Sequence, residues 1–188
     1  MKHNVDKKVI GFDMDGVIID HVSNKISVAK KFGFKIKKKD TPSDTMRKLL
    51  PEPTWNKIQT VLFDRAEVAL IPPLMPGVTI VLETLKEKEI PYFLISRRKK
   101  LPMAIQLLKV RGLWPKYFNK KNSFFVKSRE EKDKKSRELK VTHYFDDQIS
   151  VLDKLISVEN RFLFDNLGAF KNSPMRRVKS WKEVSKLI

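Results

Sequence analysis

Short apolar runs alternate with helical patterns along most of the chain. Five runs of apolar and aromatic residues predict strands, at about residues 8–13, 91–96, 123–126, 142–146 and 160–165. Between the later runs, apolar positions recur at helical spacing, as at Leu101, Ile105 and Leu108. Strands that alternate with helices indicate a mostly parallel sheet covered on both faces, so we predict a doubly wound α/β fold.

Helix boundaries are marked by residues that favour the ends of helices. Pro102 is tolerated in a first turn, and Gly112 is typical of a helix C-terminus. Two pairs have the spacing of a capping box, Ser128 with Glu131 and Ser180 with Glu183. These signals indicate helices that begin near residues 101, 129 and 181.

Residues 18–75 interrupt the alternation of strands and helices. Helical patterns lie at about 23–32, 43–50 and 54–69, and several prolines follow them before Gly77. We therefore predict two parts, a core formed by residues 1–17 and 76–188 and a helical insertion formed by residues 18–75.

Length and composition limit the class of protein. A chain of 188 residues with 41% hydrophobic content can form one buried core and a small second lobe. No apolar run approaches the ~20 residues of a membrane span, and we expect no signal peptide. The chain has no cysteine, which excludes disulfides and thiolate chemistry. We expect a soluble, cytoplasmic protein that does not bind membranes.

The net charge is +18, from 40 Lys and Arg residues against 22 Asp and Glu residues. Only ten of the forty are Arg, and Lys is a solvated point charge rather than a bidentate phosphate ligand. Two interpretations stay open. The charge is spread over solvated faces, or it attracts anionic substrates and loosely holds nucleic acid.

Two carboxylates follow the first predicted strand. Asp13 and Asp15 are two residues apart, so on a continuing strand they would share one face. Two crowded acids repel each other unless a cation or a shared proton compensates. Mg²⁺ suits such a pair because it binds carboxylates together with phosphate oxygens and water. The alternative is a turn in which both acids only cap the chain.

Polar residues also end two later predicted strands. Ser96 ends the run at 91–96, and Asp146 and Asp147 end the run at 142–146. Each could be an ordinary surface serine or a helix cap. Parallel strands, however, bring their carboxyl ends to one edge of the sheet, where active crevices form.

Residues 11–17 resemble motif I of the haloacid dehalogenase (HAD) superfamily, most of whose members are Mg²⁺-dependent phosphohydrolases. The resemblance implies that Asp13 attacks phosphorus and that Asp15 acts as general acid and then as base. Ser96 would correspond to motif II, which binds the phosphoryl oxygens. Asp146 and Asp147 would correspond to motif IV and complete the Mg²⁺ site with Asp13 and Asp15, with Asp146 preferred over Asp147 as the direct ligand.

Motif III of the superfamily requires a lysine near the start of the helix before motif IV. Lys132 lies in the first turn of the helix predicted after Ser128 and has the expected spacing to Asp146. Lys135 is the second choice among the several lysines of this stretch. A lysine here would offset negative charge on the phosphoryl group.

The helical insertion is similar to the small C1-type cap of the superfamily, with Arg47, Trp55 and Arg65 as candidates for substrate contact. Trp55 is alternatively a core residue of the cap. Four cations, residues 97–100, directly follow Ser96, and we predict that Arg97 binds phosphate. The Ser-Arg-Arg sequence at 96–98 resembles a subset related to 5′(3′)-deoxyribonucleotidases.

The resemblance implies a Mg²⁺-dependent phosphatase that acts on a small phosphorylated substrate, with a nucleoside monophosphate as the preferred one. Three alternatives stay open: a phosphatase acting on nucleic-acid ends, a phosphomutase, and a non-catalytic module that binds phosphate or nucleic acid. The sequence does not indicate an oligomeric state.

Overall fold

A six-stranded, all-parallel sheet forms the centre of the computed structural model, which describes residues 7–98 and 100–188. The spatial order is β3-β2-β1-β4-β5-β6. The strands are β1 (Ile10–Phe12), β2 (Tyr92–Ser96), β3 (Ser123–Phe125), β4 (His143–Asp146), β5 (Asn160–Phe164) and β6 (Arg176–Val178). The predicted doubly wound α/β fold is confirmed.

The sixth strand was absent from the sequence prediction. β6 has three residues, and only Val178 is buried, whereas Arg176 is exposed and Arg177 is partly exposed. An edge strand with this composition lacks the apolar run that identified the other five strands. It pairs in parallel with β5 through Phe162, Leu163 and Phe164.

Nine α-helices lie in the described part of the chain. They are α1 (Val22–Lys31), α2 (Ser43–Met46), α3 (Glu52–Asp64), α4 (Ala66–Ala69), α5 (Val78–Glu87), α6 (Leu101–Val110), α7 (Arg129–Glu138), α8 (Ile149–Leu152) and α9 (Trp181–Val184). Short 3₁₀ turns lie at Lys38–Asp40 and Arg47–Leu49. The predicted helix at 54–69 is wrong in one respect, because Arg65 adopts an extended conformation and separates α3 from α4.

The serine caps of the two predicted capping boxes are confirmed at the start of α7 and α9, whereas the glutamate side chains accept from the amides of Lys127 and Lys179. Ser128 Oγ accepts a hydrogen bond from the Glu131 amide at 3.1 Å, and Ser180 Oγ accepts one from Glu183 at 3.3 Å. Each cap satisfies an amide that the first turn of a helix leaves without a partner. The cap at Ser128 fixes where α7 begins, which in turn fixes the register of its lysines.

Side chains that alternate along the strands form apolar layers on both faces of the sheet. On one face, Phe145 packs 5.6 Å from Phe12 and 5.0 Å from Phe162, measured between ring centroids, and Trp181 packs 5.0 Å from Phe12. Tyr144 belongs to the opposite layer. Burying each such side chain contributes roughly 1.5–3 kcal/mol, so the two layers hold the strands in register.

The helical insertion has an apolar cluster of its own. Its members come from α1 to α4 and the turns between them: Val28, Ala29, Ile36, Met46, Leu50, Trp55, Ile58, Leu62 and Val68. Trp55 is only 8% exposed and packs in this cluster. Across the residues that the structure describes, every helix is too short or too polar to cross a bilayer.

Candidate active site

The residues predicted to carry the chemistry lie where the strand order reverses. β1 pairs with β2 on one side and with β4 on the other, so the chain departs in opposite directions from this point. Asp13 directly follows β1, while Ser96 and Asp146 are the last residues of β2 and β4. Loops diverge at such a position and leave a crevice at the carboxyl ends of the strands.

A tight turn follows β1 and presents both motif I carboxylates. The Asp15 amide donates a hydrogen bond to Asp13 Oδ2 at 3.1 Å, and the Gly16 amide donates to the Ile19 carbonyl at 2.9 Å. Gly16 has a φ of +84°, and a Cβ at this position would overlap the Asp147 carboxylate. The turn therefore requires glycine for both its conformation and its contact with Asp147.

Lys132 joins two of the carboxylates. Its Nζ atom donates hydrogen bonds to Asp13 Oδ1 and to Asp146 Oδ2, each at 2.7 Å, and its side chain is 3% exposed. Burial alone would lower the pKa of Lys132, but the two carboxylates raise it well above its usual value. Lys132 is therefore a fixed cation at the floor of the site.

Three buried carboxylates lie close enough together to hold a metal ion. One oxygen each of Asp13, Asp146 and Asp147 lies within 4.8 Å of the others. Burial raises the pKa of Asp146 to about 7, although Lys132 opposes the shift, and burial raises the pKa of Asp147 to about 8, although Lys25 opposes it.

The chemistry of this donor set fits Mg²⁺. Hard divalent cations prefer oxygen ligands, and the three carboxylates offer only oxygen. The raised pKa values of Asp146 and Asp147 reflect the cost of burying anions close together, and a divalent cation would offset that cost. The preference for Asp146 over Asp147 as the direct ligand stays a prediction.

Asp15 is held by two residues that the sequence analysis did not assign to the site. Arg98 forms a bidentate pair with it, with Nε 2.7 Å from Oδ2 and Nη2 2.6 Å from Oδ1. His21 Nε2 lies 2.7 Å from Oδ1. Burial would raise the pKa of Asp15, but Arg98 and His21 together lower it well below its usual range.

An aromatic residue of the helical insertion covers this pair. The Phe63 ring centroid lies 4.4 Å from Arg98 Cζ and 5.3 Å from the centroid of His21, which meets it edge to face. A guanidinium over an aromatic face is attracted by the ring quadrupole. The environment of Asp15 is therefore built from the turn after β1, the segment after β2 and helix α3.

The segment after β2 turns its two arginines to different surroundings. Ser96 is buried and lines the active-site cavity, and Arg97 is exposed at its rim. Arg98 is buried against Asp15. Lys99, which was grouped with these cations in the sequence, lies outside the described residues, and Lys100 lies 3.7 Å from Asp64.

A cavity of about 780 Å³ lies above Asp13, between the edge of the sheet and the helical insertion. Of the residues predicted to contact substrate, Arg47 and Trp55 line it. Arg65 is exposed at the break between α3 and α4 and is not among the described lining residues. Ligand cavities typically measure 300–1,000 Å³, so the space suits a substrate much larger than a phosphate ion.

Asp44, a residue of the helical insertion that lines this cavity, forms hydrogen bonds to the core. Asp44 Oδ2 accepts a hydrogen bond from the Ser150 amide at 3.0 Å, and Asp44 Oδ1 accepts one from Ser150 Oγ at 2.5 Å. Ser150 lies in the first turn of α8, directly after the acidic residues that end β4. The contact ties the helical insertion to the part of the core that carries Asp146 and Asp147.

His21 and Arg98 could not have been assigned from sequence alone, although each left a signal. Arg98 belongs to a cluster of cations after a predicted strand, and it follows Arg97 directly, so only one of the two can face the rim. His21 is a polar residue six positions after Asp15, at the start of a helix. Neither signal identifies Asp15 as the partner.

Comparisons with known proteins identify the fold. No protein-family model matches the chain, and no curated protein matches it. Among solved structures, a HAD-superfamily hydrolase from Ehrlichia chaffeensis is 16% identical with a TM-score of 0.60, and the match covers 95% of this chain and 94% of that one.

Two further structures are similar over nearly their whole length. A protein assigned as a phosphoglycolate phosphatase, from Lactobacillus delbrueckii subsp. bulgaricus, is 15% identical with a TM-score of 0.67, covering 97% of this chain and 98% of that one. A protein assigned as a β-phosphoglucomutase, from Thermotoga maritima, is 20% identical with a TM-score of 0.61, covering 96% and 97%. At these identities the likeness establishes a HAD-like fold.

Proposed function

We propose that the protein is a Mg²⁺-dependent phosphatase that hydrolyses phosphate monoesters through an aspartyl-phosphate on Asp13. The observation that carries this proposal is the pairing of Asp13 with Lys132 at the floor of a cavity, where the ends of three parallel strands meet. The likeness to HAD-fold phosphatases and hydrolases supports it.

The first step is attack by Asp13 on phosphorus. Lys132 binds Asp13 Oδ1 and the Asp15 amide binds Oδ2, so the nucleophile is held in one orientation. A bond forms between the carboxylate oxygen and phosphorus, and the bond from phosphorus to the leaving oxygen breaks. Ser96 donates a hydrogen bond to the phosphoryl oxygens, and Lys132 and Arg97 offset their negative charge.

Asp15 is proposed as the group that moves protons. As the acid it protonates the leaving oxygen, and as the base it later takes a proton from the water that cleaves the aspartyl-phosphate. Both of its oxygens accept hydrogen bonds from Arg98 or His21, which suits the base. Delivery of a proton to the leaving group requires one of these contacts to open.

Asp13, Asp146, Asp147 and the main-chain carbonyl of Asp15 are the proposed ligands of Mg²⁺. When bound, Mg²⁺ supplies Lewis-acid stabilisation of the phosphoryl oxygens. Lys132 and Mg²⁺ together would neutralise the buried acids, so the site is expected to be most stable when loaded.

We propose that residues 18–75 act as a C1-type cap that excludes water and recognises the leaving group. The Asp44–Ser150 hydrogen bonds support a closed arrangement. Trp55, Phe63 and Phe170 supply aromatic surface beside cations in the cavity, which favours a nucleoside monophosphate as substrate.

A second candidate is a phosphatase that acts on the ends of nucleic acids. Six lysines between positions 30 and 39 are exposed, which gives the proposed cap a basic surface: Lys30, Lys31, Lys35, Lys37, Lys38 and Lys39. Affinity for an oligonucleotide would fall steeply with added salt, whereas turnover of a mononucleotide would change little. The salt dependence therefore separates the two substrates.

The test measures phosphate release from nucleotides, sugar phosphates and 3′-phosphorylated oligonucleotides, with Mg²⁺ and with a chelator. We expect Mg²⁺-dependent turnover that Asp13→Asn abolishes while its circular dichroism spectrum stays that of the wild type. Turnover that survives in Asp13→Asn would overturn the proposal. Formation of phosphate isomers without free phosphate would identify a phosphomutase instead.

A further inference from the structure

The cavity holds more positive charge than the proposed chemistry uses. Apart from Asp13, Asp15, Lys132 and Arg97, which the proposed chemistry uses, its ionisable lining consists of four cations and two carboxylates: Lys25, Arg47, Lys48 and Arg129, with Asp44 and Asp153. Asp44 is already bound to Ser150. The lining therefore carries a surplus of cations, and low-dielectric protein walls strengthen the attraction of such a cavity for anions.

The core and the helical insertion each contribute a buried donor to the lining of this cavity. Within the described part of the chain, Arg129 Nε and Gln59 Nε2 are buried atoms without a hydrogen-bond partner. Arg129 opens α7 in the core, one helical turn before Lys132, and Gln59 lies on α3, one turn after Trp55. Both residues line the cavity. Buried donors without partners are costly, so a ligand that accepts from both would be favoured.

We propose that the cavity binds a second phosphate group of the substrate between Arg129 of the core and Gln59 of the helical insertion. The substrate class is then a small bisphosphorylated molecule in place of the nucleoside monophosphate proposed above, with one phosphate at Asp13 and the other at these residues. A phosphate offers three terminal oxygens in a tetrahedral arrangement, so it can accept hydrogen bonds from two walls at once. The surplus of cations favours such a dianion.

This inference depends on the proposed function only for the position of the first phosphate. It also gives the helical insertion a chemical task, because Gln59 contacts the ligand from α3 while Arg129 contacts it from α7. Closing of the insertion over the core and recognition of the second phosphate would then be the same event.

The experiment measures binding rather than turnover, so it does not require the protein to be a phosphatase. Isothermal titration calorimetry on Asp13→Asn, with Mg²⁺ present in the buffer, measures the affinity of each ligand. It compares adenosine 3′,5′-bisphosphate with AMP, and fructose 1,6-bisphosphate with fructose 6-phosphate. We expect each bisphosphate to bind at least roughly tenfold more tightly than its monophosphate, the effect of one charge-assisted contact.

Variants assign this preference to the named residues. In the same background, Arg129→Gln should remove most of the preference and change the affinity for AMP by less than about twofold, and Gln59→Leu should reduce the preference about threefold or more. Arg137→Gln is the matched control, because Arg137 lies on the same helix but pairs with Asp133. It should leave both affinities unchanged.

Three results would overturn the inference. Equal affinities for bisphosphates and monophosphates would remove its basis, and so would an Arg129→Gln variant that weakens both ligands alike. The third result is a carboxylate that serves as well as a phosphate. If 3-phosphoglycerate bound more tightly than glycerol 3-phosphate by the same factor that separates bisphosphates from monophosphates, the second position would accept any anion and would not select phosphate. These results leave the proposed function standing, since that is contradicted by phosphate release that persists in Asp13→Asn or by formation of phosphate isomers without free phosphate.

Discussion

Replacing Lys132 with methionine tests the central interaction of the site. The substitution keeps an unbranched side chain of similar length and removes the ammonium group that binds Asp13 and Asp146 at 2.7 Å. Breaking a buried ion pair by removing one partner costs about 3–5 kcal/mol. The free energy of unfolding of a domain is about 5–15 kcal/mol, so Lys132→Met should lose a large part of it at pH 8 without metal.

The loss should depend on pH with a defined sign. Without Lys132, the folded-state pKa of Asp146 moves still further above the unfolded value near 3.8, and it is already about 7 in the wild type. A raised carboxyl pKa stabilises the fold at low pH, and this stability is lost as pH rises from about 4 to the folded-state pKa. In the wild type, the raised pKa of Lys132 preserves its contribution up to the alkaline range. The deficit of Lys132→Met should therefore be small at pH 5 and much larger at pH 8.

Urea denaturation followed by tryptophan fluorescence measures this deficit at pH 5, 7 and 8, with a chelator and again with Mg²⁺. Mg²⁺ should recover part of the stability of Lys132→Met, because a bound cation replaces some of the lost charge. Phosphate release should fall roughly 100-fold to 1,000-fold. Lys135→Met is the control, since Lys135 lies on the same helix and pairs with Glu138 at the surface, and its unfolding should not differ from the wild type.

Two outcomes would refute this reasoning. One is a Lys132→Met variant within about 1 kcal/mol of the wild type at pH 8, which would mean that the buried pair contributes no more than a surface pair. The other is a deficit of equal size at pH 5 and pH 8, which would assign the loss to packing instead of charge.

Three further predictions concern the residues around this centre. Arg98→Gln should lower the free energy of unfolding by about 3 kcal/mol at neutral pH. The loss should be smaller at pH 3, because the stability that comes from the lowered pKa of Asp15 is complete above the unfolded value near 3.8 and is lost as pH falls below it. Urea denaturation at both pH values measures the difference. Gly16→Ala should weaken Mg²⁺ binding more than tenfold, measured by calorimetry, because the added methyl group overlaps Asp147. Gly168→Ala is the control: this glycine also has a positive φ but has open space around it, so the variant should lose some stability and keep its Mg²⁺ affinity. Asp44→Asn should raise KM more than it lowers kcat, and an unchanged KM would contradict a closing role for this residue.

The sequence predicted the sheet because its strands are buried on both faces. A strand such as Phe93 to Ile95 must be apolar on two sides, and the resulting run is visible without any tertiary information. The same argument fails for β6, where only Val178 is buried, Arg176 is exposed and Arg177 pairs with Asp165. It also fails for α3 and α4, because helical spacing continues through Arg65 although the backbone there is extended.

In the candidate site, too, the sequence predicted the positions of some residues but not the directions of their side chains. Asp13, Ser96 and Asp146 were predicted to meet because they end neighbouring strands, and the topology of a parallel sheet determines where strand ends lie. Side-chain direction was beyond such reasoning. Arg97 and Arg98 are adjacent and chemically identical, and only the packing of Phe63 and the position of Asp15 decide that Arg98 turns inward.

The pairing of Arg98 with Asp15 links substrate binding to proton transfer. The end of β2 supplies both Ser96, proposed to bind the phosphoryl group, and Arg98, which holds the proposed acid and base. Phe63 of the helical insertion covers Arg98 and His21 and keeps their contacts with Asp15 away from water. An ion pair weakens steeply as the effective dielectric constant around it rises. Any displacement of α3 that uncovers Arg98 would therefore loosen Asp15, so the position of the insertion and the freedom of this carboxylate change together.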